Sequence, residues 1–163
     1  MITNFFSPLE FQVTIKRMPN VEFFVQRTAI PGVSANSPVS PTPFNRITLT
    51  PDKLEYNPLE LTFIVDENMS NYIEVLNWIK GGTFPERYEQ YRNLAESKDG
   101  VSSDITILAL NSHKNPVIKI DFSGCFPTSL SEIILDTTQT DVIYPEATVT
   151  FSYDYFDVSP YKD

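Results

Sequence analysis

Apolar and polar residues alternate with a period of two along most of this chain. In the segment 9–17, LEFQVTIKR, the apolar residues Phe11, Val13 and Ile15 alternate with polar ones. Because successive side chains of a β-strand point to opposite faces, this alternation predicts a strand with one buried face. The pattern recurs and gives about seven predicted strands in all; the others span 21–30, 45–50, 59–66, 103–110, 115–124 and 146–156.

Three stretches between these segments carry turn or loop residues. Residues 18–20 (MPN) form a short turn, which predicts a hairpin between the first two strands. Residues 31–45 are rich in proline, which has a fixed φ and no N–H. We therefore expect an extended loop or arm there, without backbone pairing of its own. Gly124 and Pro127 mark a corner that breaks the backbone between two strand-like runs.

Residues 70–80 depart from the alternation and fit a helix. Their apolar side chains recur at helical spacing, and the face that they form consists of Tyr72, Ile73, Val75, Leu76 and Ile79. Ser70 is the predicted N-cap, and Gly81 is the residue expected to end the helix. We expect this helix to cover one open end or face of the β-structure, with Trp78 buried. The polar segment 84–100 is expected to be a long loop with one helical turn at most.

These elements predict a mainly β fold. Strands at this spacing with one helix indicate an antiparallel β-sandwich or barrel of about seven strands, with a single amphipathic α-helix at about 70–80. The length of 163 residues favours one domain over residues 1–163. Hydrophobic residues make up 41% of the chain, which suits a globular core. No apolar run approaches ~20 residues, so no membrane-spanning helix and no membrane partner are expected.

The chain is acidic, with 21 Asp and Glu against 12 Lys and Arg and a net charge of -9. Proteins that bind DNA tightly neutralise phosphates with Lys and Arg, and no basic cluster occurs. We therefore expect no specific binding of nucleic acid. Cys125 is the one cysteine, which excludes an internal disulfide and fits a reducing compartment. The N-terminus lacks the basic start and long apolar stretch of a signal peptide.

No residue pattern indicates catalysis. His113 is the one histidine and lies in a turn-like segment, where a solvated surface role is the ordinary interpretation. Cys125 is interpreted as a small buried hydrophobe, and the two residues give no zinc-ligand spacing. The segment DENMSN at 66–71 has the acids of a calcium loop but lacks the alternate ligand spacing and the glycine. We expect neither an enzyme nor a bound cofactor or metal.

The polar sides of the strands are more informative. Several strands carry a Thr-rich and mildly acidic side, and we expect these sides to form one long polar face. Its predicted residues are Glu10, Gln12, Thr14, Glu60, Thr62, Thr148, Thr150, Ser152 and Asp154. An ordinary solvated sheet face is the alternative interpretation. Long alternating strands with few Pro or Lys residues would aggregate unless other copies pair with their edges.

Four segments follow one another in an order known from one protein family. They are LEFQVTI at 9–15, NPLELTFIVDENMSNYIEVLNWI at 57–79, IDFSGCFPTSLSEIILD at 120–136 and ATVTFSYDYF at 147–156. Together they resemble the tail tube proteins of contractile-tailed bacteriophages. The similarity covers 9–156 and extends to the tube-like baseplate proteins that initiate the tube and to the type VI secretion inner tube. The Pro-rich stretch and IYPE at 143–146 have no counterpart in the family pattern.

The resemblance implies a structural virion protein of the tail, assembled in the host cytoplasm. It implies stacked hexameric rings in which each subunit contributes four strands to one barrel, through which the genome passes during ejection. The implied partners are other copies of the chain, a contractile tail sheath, and baseplate and tube-initiator proteins. The polar face would then line the lumen without gripping DNA. The corner at Gly124 would turn the chain out of one sheet so that the final strand can return, with residues 126–135 at a rim contact.

The Pro-rich arm is expected to reach an adjacent subunit. Its apolar residues, Val33, Val39 and Phe44 among them, are too few for a core of their own. A loose surface loop is the alternative. For the whole chain, the alternatives are a tube initiator or adaptor ring of the same fold, a monomeric ligand-binding β-sandwich, and a small hydrolase that uses scattered carboxylates.

Overall fold

A computed structural model describes residues 9–22, 24–83, 88–95, 100–138 and 144–161. Three helices lie in these ranges: α1 (Pro19–Glu22), α2 (Ser70–Thr83) and α3 (Tyr88–Ala95). The strands are β1 (Phe11–Ile15), β2 (Val25–Thr28), β3 (Val33–Asn36), β4 (Val39–Pro41), β5 (Arg46–Thr48), β6 (Lys53–Tyr56), β7 (Leu59–Ile64), β8 (Ser103–Leu110), β9 (Pro116–Leu130), β10 (Glu146–Ser152) and β11 (Tyr155–Pro160).

Seven of these strands form one antiparallel path in the order β1-β8-β9-β10-β7-β2, with β11 paired to β9. The long strand β9 bends and takes part in both halves of this path. Sheet A consists of β1, β8, β11 and the first half of β9. Sheet B consists of β2, β7, β10 and the second half of β9. The predicted antiparallel, mainly β fold with one principal helix is confirmed.

The two sheets face each other across one core. Val13 and Ile105 of sheet A belong to the same buried cluster as Leu61 and Phe151 of sheet B. Because both inner faces are buried against this core, the outer faces of the two sheets point away from each other. One face of β1, β7, β8 and β10 is buried, which explains why the period-two alternation of the sequence predicted these strands.

Helix α2 covers the sandwich as expected. The Trp78 ring is buried, lies 5.9 Å from the Phe151 ring, and donates a hydrogen bond from Nε1 to the Val101 carbonyl at 2.8 Å. The guanidinium of Arg17 stacks 5.1 Å from the Trp78 ring centre. Ile73, predicted on the apolar face, is half exposed, so the buried stripe is narrower than the sequence pattern indicated.

Both predicted ends of this helix were wrong in detail. Ser70 is not the acceptor that caps the N-terminus of the helix. Instead, the Asp66 carboxylate accepts a hydrogen bond from the Ser70 N–H at 2.7 Å. Gly81 is buried inside the helix, which continues to Thr83. Tertiary packing of a small residue here outweighs the low helix propensity of glycine.

The predicted hairpin between the first two strands was wrong. Residues 19–22 form the single turn α1, and Pro19 occupies its first position, where a missing N–H costs nothing. Met18 and Val21 are both buried and anchor this turn. The chain therefore passes from β1 in sheet A to β2 in sheet B.

The Pro-rich stretch has backbone pairing of its own, contrary to expectation. Strand β3 pairs with β6, and β4 pairs with β5, so residues 31–56 form a two-stranded arm. The predicted strand at 45–50 contains β5 and belongs to this arm. Proline is tolerated because a two-stranded ribbon has outward backbone positions that need no N–H donor.

The corner at 124–127 is a change of sheet within one strand. Inward residues of β9 are Ile120 and Phe122, and then Cys125 and Pro127, so the inward parity changes at Gly124. The register with β8 skips one residue of β9 at the same place, which defines a β-bulge. The chain therefore leaves sheet A for sheet B here, as the predicted corner implied, and β11 returns to pair with the first half of β9. Residues 131–135, the end of the predicted rim segment, contain no strand.

Two further predictions needed revision. The final strand at 146–156 is divided into β10 and β11, which pair with the two halves of β9. The segment 84–100 contains the two-turn helix α3 where a loop was expected; residues 84–87 and 96–99 lie outside the described residues. Tyr88 and Tyr91 of α3 are exposed, which explains why the segment showed no apolar face.

Candidate functional site

Sheet B presents a Thr- and Ser-rich outer face. Thr148 lies opposite Thr62 and Thr150 lies opposite Glu60 in the β10–β7 register. The hydroxyl oxygens of Thr62 and Thr148 are 3.0 Å apart and share a hydrogen bond. Ser152 continues this face along β10. Five of the predicted lumen residues therefore lie together on one sheet face.

The other predicted residues do not join them. Gln12 and Thr14 lie on β1, opposite Leu108 and Thr106 of β8, on the outer face of sheet A. Glu10 directly precedes β1, and its carbonyl accepts from the Leu110 N–H at 3.0 Å. The expectation that these strands share one polar face was wrong, because strand alternation does not show to which sheet a strand belongs.

The outer face of sheet A carries paired charges. Lys16 lies 3.5 Å from Asp104, and Lys119 lies 2.7 Å from Asp121. Partial burial works to raise the pKa of Asp121, but hydrogen bonds from Lys119 and from Thr106 at 2.7 Å outweigh it and leave that pKa below its usual value. Sheet A therefore differs from sheet B, whose central outward positions are mostly uncharged.

Asp154 lies at the junction between the sheets. It occupies the break between β10 and β11, and its N–H donates to the Ser123 carbonyl at 3.0 Å. Its carboxylate lies against Gly124, which has a φ of 68°. Asp154 is exposed. It contacts the β-bulge at Gly124 and lies beside the outer face of sheet B.

The arm of residues 31–56 projects from the start of sheet B. Its root is held by the buried Pro31 and by the Asn57 N–H, which donates to the Gly32 carbonyl at 3.0 Å. Tyr56 packs against Tyr153, with ring centres 5.8 Å apart. Beyond the root the arm is exposed, including its apolar residues Val33, Val39, Phe44, Ile47 and Leu54.

A groove at the opposite end of sheet B was missed by the sequence analysis. It has a volume of about 680 Å³ and is lined by Glu132, Ile134, Leu135, Asp136, Thr137, Tyr144, Pro145 and Glu146. In the sequence, one wall of the groove was marked by the apolar triplet Ile133-Ile134-Leu135, which breaks the alternation and is separated from the end of β9 by two residues. The groove wall formed by residues 132–137 overlaps the segment 126–135 that was expected at a rim contact.

The residues considered for chemistry are far from one another. Cys125 is buried, and burial raises the pKa of its thiol to about 12. His113 lies in the exposed turn between β8 and β9. Among the described residues, no three His, Cys, Asp or Glu side chains form a group that could hold a metal ion. No helix in the same ranges is long and apolar enough to cross a membrane.

The comparison with family models decides the family. The model described as phage tail tube protein matches residues 4–159. The chain belongs to this family. A curated relative, the tail tube terminator protein of Enterobacteria phage T4, is 31% identical over 104 residues, which are 64% of this chain and 57% of that protein. The chain therefore spans little more than half the length of this curated relative.

Solved structures share the fold. A chain of the anti-feeding prophage baseplate, symmetrised six-fold, superposes with a TM-score of 0.64 at 15% identity and covers 98% of this chain and 97% of its own. A chain of the sheath/tube terminator of an extracellular contractile injection system gives 0.63 at 15% identity, with 98% and 99% covered. The Hcp1 protein of E. coli gives 0.53 at 7% identity, with 93% and 98% covered.

Proposed function

We propose that this chain is a subunit of a phage tail tube, assembled as stacked hexameric rings around a channel for genome ejection. The observation that carries the proposal is sheet B, a four-stranded sheet with an outer face of Thr and Ser and an arm at one end. The six-fold symmetrised assembly that contains a chain of the same fold supports the ring number. The chain would act in the virion tail, after assembly in the host cytoplasm.

The outer face of sheet B is the better candidate for the lumen. Six copies of a four-stranded sheet, with strands ~4.8 Å apart, would close into a barrel about 115 Å around and about 37 Å across, which admits duplex DNA. DNA binds tightly to a surface whose Lys and Arg side chains neutralise its phosphates. The central positions of sheet B carry Glu60 and hydroxyl side chains, with Arg27 opposite Thr62 at the edge strand. Sheet A instead carries Lys16 and Lys119 at outward positions.

The edges of sheet B support lateral assembly. Within the described residues, β2 pairs only with β7, and the second half of β9 pairs only with β10. Unpaired edges of this kind are hazards in a monomer and are protected when a neighbouring copy adds its own strand. A ring closed in this way uses two different edges, as a heterologous interface does.

The partners follow from the position of the ring in a tail. The outer face of sheet A, with its ion pairs, is the surface left for a contractile sheath, and the ends of the stack are left for baseplate and initiator proteins. The arm residues Val33, Val39 and Phe44 would contact an adjacent subunit. DNA would pass the lumen without specific binding.

A tube terminator is the second candidate. It is favoured by the 31% identity to the tail tube terminator protein of phage T4. A tube subunit must stack repeatedly on itself, whereas a terminator forms one ring at an end. Electron microscopy of the purified protein separates the two, because a tube subunit is expected to form stacks of varied length and a terminator single rings. A tube initiator or adaptor ring would give single rings as well and would bind the baseplate end.

A matched pair of charge reversals tests the lumen assignment. Glu60→Lys on sheet B and Asp157→Lys on β11 of sheet A each replace an exposed carboxylate by an ammonium group. In a hexamer, E60K would add six lysines to the lumen wall of every ring and slow DNA release by tenfold or more. D157K particles should release DNA at the normal rate. Equal rates for both, or a slower D157K, would contradict sheet B as the lumen wall.

A further inference from the structure

The arm and the groove lie at opposite ends of sheet B. Strand β7 begins at Leu59, directly after the arm strand β6, and ends at Ile64, which lies opposite Glu146 of the groove. The Val65 N–H then donates to the carbonyl of the groove residue Pro145 at 2.9 Å. The two features are therefore separated by the length of β7, about 20 Å for six residues. In this structure the arm tip does not contact the groove of its own copy, since Phe44 at the tip is fully exposed.

The tip of the arm is an organised apolar anchor. The Thr42 N–H donates to the Asn45 carbonyl at 2.9 Å, and the Asn45 N–H donates to Thr42 Oγ1 at 3.0 Å. This turn holds Phe44 at its apex, where the side chain is 100% exposed. A fully exposed aromatic side chain on a fixed turn has little conformational freedom left to lose on binding. This property is typical of an interface anchor.

The groove offers matching apolar surface. Leu135 is 88% exposed and Ile134 77%, and Tyr144 completes the apolar lining. The volume of about 680 Å³ accommodates an aromatic side chain with its neighbours. The groove wall formed by residues 132–137 is held in place by Asp136. Its Oδ1 accepts hydrogen bonds from the Thr138 N–H at 2.9 Å and from the Thr138 hydroxyl at 2.6 Å.

The charges of the two features are complementary. Three carboxylates, those of Glu132, Asp136 and Glu146, surround the apolar lining of the groove. Although the chain has a net charge of -9, residues 23–51 contain no Asp or Glu, and Arg46 is the charged residue of the arm tip. Copies of an acidic protein repel one another at long range, so an acid-free segment is the part of this chain best able to approach the groove.

We propose that the arm tip of one copy docks into the acidic groove of the next copy along the strand direction of sheet B, with Phe44 in the apolar lining and Arg46 on the carboxylates. This inference rests on the proposed function and names the axial contact of the stack. The contact joins two different surfaces, so it is heterologous and each added copy exposes a new groove or a new arm. Stacking then continues without an intrinsic end.

Cysteine cross-linking between two single variants tests the docking without altering Phe44, Arg46 or the carboxylates. Ser40→Cys lies on β4 beside the arm tip and Thr137→Cys lies in the groove, and both positions are exposed. The native Cys125 is buried and should not compete. With dissolved oxygen as the oxidant of the two thiols, mixed S40C and T137C proteins should form disulfide-linked dimers about tenfold faster than S34C with T137C, because docking raises the local thiol concentration. Ser34 lies on β3 at the base of the same arm, about 20 Å from Ser40 in an extended chain.

A charge exchange provides the second measurement. Arg46→Glu should shorten the stacks seen by electron microscopy and sedimentation, and adding Glu132→Arg should restore them. Lys53→Glu, the same reversal at the arm base, should leave stack length unchanged. Wild-type rings or stacks with equal cross-linking of S40C and S34C would overturn the docking but leave the tube function standing, and the groove would then serve another occupant such as the sheath. A wild-type protein that remains monomeric at high concentration would count against the tube function, and the cross-linking rates would then decide the docking alone.

Discussion

Gly124 and Asp154 are in such close contact that a Cβ atom at position 124 would require the Asp154 side chain to shift. A Cβ atom built on Gly124 would lie 2.3 Å from Asp154 Oδ2 and 2.9 Å from its Cγ. The φ of 68° at Gly124 is also in the left-handed region, which costs other L-residues free energy. The pair stands where β9 leaves sheet A for sheet B and where β10 gives way to β11. The contact therefore joins the two places at which the chain changes sheet.

Replacing Gly124 by Ala should destabilise the fold more than replacing Gly100, which makes a matched control. Gly100 has a φ of 64°, and among the described residues no heavy atom lies within 4 Å of its built Cβ, so Gly100→Ala measures the backbone cost alone, about 1–2 kcal/mol. Gly124→Ala adds the contact with Asp154 to that cost. Chemical denaturation of both variants gives the difference in the free energy of unfolding.

The steric part of this prediction can be isolated by a double-mutant cycle. Asp154→Ala removes the atoms that Cβ would meet, so in that background Gly124→Ala should cost no more than Gly100→Ala. If Gly124→Ala costs the same with and without the Asp154 side chain, the contact is not what requires glycine at this position.

Trp78→Ala should lower the free energy of unfolding by about 3–5 kcal/mol, because it empties a large buried site and leaves the Val101 carbonyl without its donor. Ile73→Ala, on the same helix but half exposed, should cost below about 1 kcal/mol. Thermal or urea unfolding of the two variants measures both effects. An unchanged stability for Trp78→Ala would show that α2 does not close the core.

The strands were predictable because burial of one face imposes alternation on the residues themselves, as in β1, β7, β8 and β10. Their partners were not, since Gln12 and Thr62 have the same local pattern in different sheets. The bulge at Gly124 shifts the inward parity of β9 by one residue, and in a sequence this looks like a corner. The arm has no buried face, so burial imposes no alternation on its strands. What the sequence showed there was a proline-rich composition. The groove forms only because residues 132–137 and 144–146 come together in the fold. A local sequence pattern does not show such a contact.

The stability of the protein should depend on pH through Glu74 of helix α2. Burial raises the pKa of this carboxyl, the hydrogen bond from Asn20 at 2.8 Å opposes the rise, and the Asp66 carboxylate adds to it. Its Oε2 is buried without a hydrogen-bond partner among the described residues. Because the folded state binds this proton more tightly than the unfolded state, the group becomes less destabilising as the pH falls through its raised pKa, and its penalty is gone below the ordinary value of 4.5.

Comparison with Glu74→Gln, which cannot titrate, isolates this term. The melting temperature of the wild type minus that of E74Q should rise between pH 7 and pH 4.5, since only the wild type is relieved of a buried negative charge by protonation. A wild-type minus E74Q difference that stays constant or falls with acidification would mean that the Glu74 carboxyl is solvated when the protein is folded.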